Sequence, residues 1–333
     1  MRNPYRLLYF LIFILFSSCS SNPLDIDVSG VKTEPVHIGR FEKDLFAGKS
    51  SRSALQTQYG DFYKGFAEII LCPNGADDPG CAAGIRNFVA DTVMHATFDV
   101  CEKEFPDMGF LEQGLEDAFR HFKYYFPERN VPKVYTMMSG FNFSFLRLDK
   151  SVGIGLEMFL GPDSRFYPMF QFPKYKTSFM YQPYILPGFV KSWMMTEFES
   201  KNEKNDFLTK IIDEGKIAYL LDAILPKMND TLKIGFTRKQ LEWCKENEGH
   251  IWSFFIKRKL LYSTDYQEIM QFTNEGPFTV GFAKESPART GSWIGSQIVK
   301  SYMAKNKHVT LQQLMETKDA QRILAAAAYK PKI

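Results

Sequence analysis

Residues 131–160 read VPKVYTMMSGFNFSFLRLDKSVGIGLEMFL. Apolar positions alternate through Phe141, Phe143 and Phe145, pause at the polar turn of Asp149 and Lys150, and resume through Val152, Ile154, Leu156 and Met158. A period of two sends successive side chains to opposite faces, so this stretch predicts a β-hairpin. On both sides the period becomes helical. Upstream, Phe62, Phe66, Ile69 and Ile70 share one face, and Leu111, Leu115, Phe119, Phe122 and Phe126 share another, with Pro127 closing that helix. Downstream, a Pro- and Tyr-rich connector over 161–184 precedes a helix over about 186–198, and Phe207, Ile211, Ala218 and Leu221 mark the next. Thr237 with Gln240, and Thr310 with Gln313, carry the capping-box signature; the first predicts a helix running to about Tyr262. The fold class is therefore α+β, mainly α-helical with a small β-sheet or hairpin, in one domain over 36–333.

Two glycines, Gly291 and Gly295, stand four apart on a predicted helix. Each costs about 1 kcal/mol relative to Ala in an exposed helix, so a close helix contact is expected to repay them. The composition suits a folded core: 45% of the 333 residues are hydrophobic and 15% aromatic, with 31 Phe and 16 Tyr. Lys and Arg number 41 against 38 Asp and Glu. That balance leaves no basic field for nucleic acid.

The first 22 residues, MRNPYRLLYFLIFILFSSCSSN, hold two Arg, an apolar run over 7–16, two Ser and then Cys19. Ten residues make about 15 Å of helix against a hydrocarbon core of about 30 Å, which suits a signal-peptide core and not a span. Ser17 and Ser18 before Cys19 resemble the lipobox of bacterial lipoproteins, although Phe16 stands where an aliphatic residue is usual. The resemblance implies a signal peptide over 1–18, lipidation at Cys19 and a lipid-anchored tether over 19–35. A plain secretory signal with an incidental cysteine is the alternative. Residues 20–25 lack an acidic cluster resembling surface-export signals, which favours the periplasmic side of the outer membrane. Export would place Cys72, Cys81, Cys101 and Cys244 where disulfides persist, with three full pairings open. The turn formers of CPNGADDPGC favour Cys72 with Cys81. Four separate thiols remain the alternative.

The sequence carries few signs of catalysis. His37, His95, His121, His250 and His308 are at least 26 residues apart, so the zinc motif His-Glu-x-x-His, which needs two imidazoles one turn apart, is absent. Gly-x-Ser-x-Gly and the P-loop are absent too, and Gly153-Ile-Gly155 is half of a dinucleotide fingerprint with Met158 in the third glycine's place. No metal and no cofactor is expected.

Several stretches together resemble the gliding-motility lipoprotein GldB family of Bacteroidetes. They are the lipobox at Cys19, KYYFPERNVPKVYTMMSGFN over 123–142, GIGLEMFLGPDSRFYP over 153–168, EGKIAYLLDAILP over 214–226 and GPFTVGFAKESPARTGSWIGSQIVKSYM over 276–303. The resemblance implies a cell-envelope lipoprotein needed for gliding, in bacteria that often share a dedicated secretion apparatus. The order of elements also resembles, distantly, zinc peptidases in which a hairpin is followed by a His-Glu-x-x-His helix and a helix whose Glu-Gly supplies a third ligand. Glu214-Gly215 would hold that third place, yet the first helix, with FVKSWMMTEF over 189–198, has no histidine. What is implied is a degenerate zincin-like fold in which Glu197 and Glu214 are candidates for a relict pocket. Three functions follow: an envelope lipoprotein that binds a protein of the gliding or secretion machinery, a carboxylate-dependent hydrolase, or an extracellular ligand-binding module using the aromatics of 166–184.

Overall fold

The computed structural model describes residues 22–47, 52–72, 74–75, 78–199 and 204–332. Cys19 and the apolar run before it lie outside the described residues. The chain enters through β1 (Ile38–Arg40) and six helices: α1 (Phe41–Phe46), α2 (Arg52–Tyr59), α3 (Asp61–Phe66), α4 (Cys81–Ala90), α5 (Thr92–Glu104) and α6 (Gly109–Tyr125). Strands β2 (Lys133–Met137), β3 (Phe145–Leu148) and β4 (Ser151–Gly155) follow, then α7 (Lys174–Thr177), α8 (Ile185–Glu197), α9 (Phe207–Ile224), α10 (Asp230–Ile234), α11 (Arg238–Glu246), α12 (Glu248–Lys257), α13 (Tyr266–Thr273), α14 (Thr290–Lys305), α15 (Leu311–Glu316) and α16 (Ala320–Ala327). The protein is mainly helical with a small sheet, as the sequence predicts.

The hairpin is β3 with β4, and the sheet is larger than a hairpin. Its order is β1-β2-β4-β3, with β1, β2 and β4 parallel and only β3 antiparallel. Phe141 and Phe143 are not in a strand, although their alternation suggests one. Gly140 and Phe141 both take left-handed backbone, with φ of 67° and 64°. The turn is pinned from below by Glu157, whose Oε1 accepts from the Ser139 and Phe141 amides at 2.6 and 3.1 Å and from the Ser139 hydroxyl at 2.5 Å. The Phe141 ring is held against Phe170, 4.2 Å between centroids. β4 is buried along its whole length, and a Cβ on Gly153 would meet the Met137 sulfur at 2.8 Å and the Phe62 ring at 2.9 Å. Packing thus accounts for the first glycine of the half fingerprint.

β1, which the sequence does not announce, is fixed by charge. Glu42 is fully buried; its Oε1 accepts from Arg40 Nε at 2.5 Å and its Oε2 from the Thr136 hydroxyl at 2.6 Å. Arg40 and Lys43 both reach Glu102, at 2.9 and 3.0 Å, so one network ties β1, α1, β2 and α5. The α6 stripe of Leu111, Leu115, Phe119 and Phe122 is buried with Phe126, whereas Ile69 turns to solvent where the chain passes into a π-helical turn at Ala67–Leu71. Both capping boxes form, at Thr237 with Gln240 and at Thr310 with Gln313. The helix begun at Thr237 does not reach Tyr262 unbroken; it is interrupted at Asn247, and Lys259 is left-handed.

The C-terminal core is built on α9 against α14. A Cβ on Gly295 would lie 1.8 Å from the Ile211 carbonyl oxygen, and one on Gly215 would lie 2.4 Å from the Gly295 carbonyl oxygen. The two glycines let the backbones touch. Gly291 meets the Phe272 carbonyl and the Phe207 ring in the same way, at 2.9 and 3.0 Å. Before β1, the segment read as a tether has Val28 buried and the Asn22 amide donating to the Pro226 carbonyl at 3.3 Å. Cys72 and Cys81 are joined by a disulfide at the start of α4, and Cys101 and Cys244 are buried free thiols.

Candidate functional site

β3, α8, α9 and the first turns of α14 surround a cavity of about 1210 Å³. A second space of about 300 Å³ adjoins it, and Lys191, Arg289, Glu275 and Gly188 line both. The larger volume exceeds what one small ligand usually fills. Its apolar wall includes Phe143, Phe145, Met158 and Phe236.

Glu197 and Glu214 both line this cavity, each already paired. Glu197 Oε1 is 2.6 Å from Arg129 Nη1, and that guanidinium lies 4.6 Å over the Phe198 ring. Glu214 Oε1 is 2.9 Å from Lys210 Nζ, one turn back on α9. Deeper acids are also engaged. Asp222 accepts from Lys233 at 2.6 Å and Lys300 at 2.9 Å, and Asp213 from Lys216 at 3.1 Å.

Two half-buried cations of the lining are without an ion-pair partner among the described residues. Lys191 enters from the middle of α8, and no carboxylate lies within ion-pairing distance of it among the described residues. Burial, with the Arg289 charge added, pushes its ammonium down to about 8, against the pull of Glu214 and Glu275. Arg289 stands at the head of α14 with left-handed backbone, φ 59°. One of its terminal nitrogens, Nη2, donates to the Ile234 and Gly235 carbonyls at 2.9 and 3.2 Å, and the guanidinium lies 5.3 Å from the Phe236 ring centroid. Burial holds its pKa below the usual arginine value, although Glu275 and Glu214 pull the other way. Just beyond it, Ser292 lines the cavity with a buried hydroxyl that has no partner among the described residues, and the same holds for the Thr290 hydroxyl.

Sequence reasoning put Glu197 and Glu214 in one pocket but gave Lys191 and Arg289 no role. The available signal was a lone lysine inside the apolar run FVKSWMM. The glycine after Glu214, read from sequence as part of a ligand motif, is instead the contact point for Gly295.

The residues do not fit a zinc site. α8 carries no histidine, and the histidines are scattered: His37, His95, His250 and His308 are exposed, while His121 is buried with Nδ1 2.9 Å from the Asp117 carbonyl. Among the described residues no three His, Cys, Asp or Glu side chains gather as metal ligands.

Residues 21–331 match the family model described as Gliding motility protein GldB. The chain belongs to the GldB family. That match spans the sheet, the cavity and every helix described above, and makes the chain a gliding-motility lipoprotein by family. No curated protein and no solved structure matches this GldB chain. Among its described residues no helix is long and apolar enough to cross a membrane. In the 166–184 segment of the GldB fold, Phe166 and Tyr167 are core, and Met169, Phe170 and Tyr175 are exposed.

Proposed function

We propose that this chain serves the gliding or secretion machinery of the envelope by binding a partner protein and not by catalysis. It is a peptidase-like scaffold whose chemistry is gone. It is held by a lipid on Cys19, on the periplasmic side of the outer membrane. The observation that carries this reading is the charge on the cavity wall. A lysine from the middle of α8, with no ion-pair partner among the described residues, lines the cavity and repels a divalent ion there. The carboxylates that would act as acid and base are neutralised by Arg129 and Lys210. A free general base is what hydrolysis would need.

The test is to purify the lipid-free chain, load it with excess zinc, remove the unbound metal and measure bound metal and peptide hydrolysis together. The expected result is well under one zinc per chain and no turnover. One zinc per chain with hydrolysis abolished by Glu214→Gln refutes the reading.

A further inference from the structure

The cavity carries a built place for an anion. Lys191 and Arg289 line both the large cavity and its smaller neighbour, so the two charges stand where the spaces join. Neither has a carboxylate partner within ion-pairing distance among the described residues. Arg289 spends one terminal nitrogen on the Ile234 and Gly235 carbonyls, which fixes the guanidinium and leaves its other N–H groups to donate. The same residue opens α14, a helix of 16 residues with no side-chain cap. The Gly291 and Ser292 backbone amides at its first turn have no acceptor among the described residues. The Ser292 hydroxyl, buried and unpartnered among the described residues, lines the same cavity.

Half-buried charge without an ion-pair partner is costly, and a protein that keeps two such cations together gains from a counter-charge that offsets them. Glu275 lines the same space but forms no ion pair with either. The donors are an ammonium, a guanidinium edge, and the amide and hydroxyl of Ser292. They outnumber what the two oxygens of one carboxylate take in a plane, and they suit the three free oxygens of a phosphate at a helix N-terminus.

We propose that this cavity seats a phosphate group between Lys191, Arg289 and the first turn of α14. The proposal rests on the reading that the cavity binds and does not cut. Inorganic phosphate and the phosphate headgroup of a lipid share this chemistry. The Phe143, Phe145 and Met158 wall would add affinity only for the second.

The test measures the thermal midpoint and equilibrium binding of the purified chain with inorganic phosphate, with a short-chain phosphatidic acid below its micelle concentration, and with acetate. Phosphate should raise the midpoint of the wild type, and acetate at equal concentration should not. Lys191→Met should weaken phosphate binding at least about tenfold, the loss expected for one charge-assisted contact. Without ligand it should melt at or above the wild-type midpoint, because it removes a half-buried charge that has no ion-pair partner among the described residues. Arg289→Lys, which keeps charge but loses the fork, should weaken binding while the protein remains folded. Binding of phosphatidic acid about tenfold tighter than phosphate assigns the site to a lipid headgroup, and equal binding assigns it to the free anion. Either result supports the seat. Phosphate binding unchanged in Lys191→Met, acetate binding as well as phosphate, or no phosphate binding by the wild type overturns it. A wild type that fails to bind phosphate but also lacks zinc and turnover leaves the non-catalytic reading standing.

Discussion

Replacing Gly295 with Ala adds one carbon at the tightest point of the fold. That carbon would sit 1.8 Å from the Ile211 carbonyl oxygen and 2.5 Å from its carbon, both backbone atoms of α9. Non-bonded carbons rest roughly 3.5 Å apart, so α9 and α14 must separate by about 1 Å or more. Forcing extra volume into a packed core costs about 1–3 kcal/mol, and the upper end applies where no side chain can rotate away. Better helix propensity returns about 1 kcal/mol of that at most. The expected net loss is therefore about 2 kcal/mol or more. Gly215→Ala should behave alike, since its carbon would meet the Gly295 carbonyl oxygen at 2.4 Å. The double variant should lose less than the sum, because helices already parted admit the second carbon cheaply. Gly114→Ala on α6 is the control: its carbon meets only the end of the Leu186 side chain, at 2.6 Å, which can turn aside. Urea unfolding followed by tryptophan fluorescence reads all four variants, with Trp293 two residues from the contact. A Gly295→Ala midpoint equal to that of the wild type would refute the packing argument.

Three further outcomes are expected. Glu157 is fully buried and desolvation raises its pKa against the opposing bonds from Ser139 and Phe141, so the folded state holds its proton more tightly than the unfolded state. Its contribution to stability is then greatest at low pH and falls as pH rises through the folded value; Glu157→Gln should flatten the loss of stability on the alkaline side of the ordinary carboxyl range, and an unchanged slope contradicts this. Peptide mapping without reduction should recover Cys72 linked to Cys81, while Cys101 and Cys244, whose thiols burial pushes up, should resist alkylation until the chain unfolds. Cys19→Ala should release the protein from the membrane fraction; unchanged mass and fractionation would remove the anchor from the account.

The helical part of the fold was legible because its periodicity is long and its caps are local. The α6 stripe and the two capping boxes stand where the residues put them. The sheet was legible only in its hairpin. β1 is three residues long and owes its place to Glu42, Arg40 and Thr136, the last of them ninety-four residues from Glu42, and no local pattern encodes such a contact. The exclusion of Phe141 and Phe143 from β3 has the same cause, since Glu157 pins their turn from beyond the hairpin. At the site, sequence supplied the two acids but not their neutralising partners. Arg129 reaches Glu197 across sixty-eight residues, and Arg289 and Lys191 come to line one cavity only because α8 and α14 both pack on α9.

The most direct test of the central claim, that this envelope lipoprotein works by binding, is complementation of a deletion strain with a Glu197→Gln, Glu214→Gln double variant. Both substitutions keep size and hydrogen bonding while removing the two carboxylates on which the hydrolase reading depends. The account predicts surface movement or protein export restored to the level given by the wild type. A folded, membrane-bound double variant that leaves the strain as impaired as the deletion would contradict it.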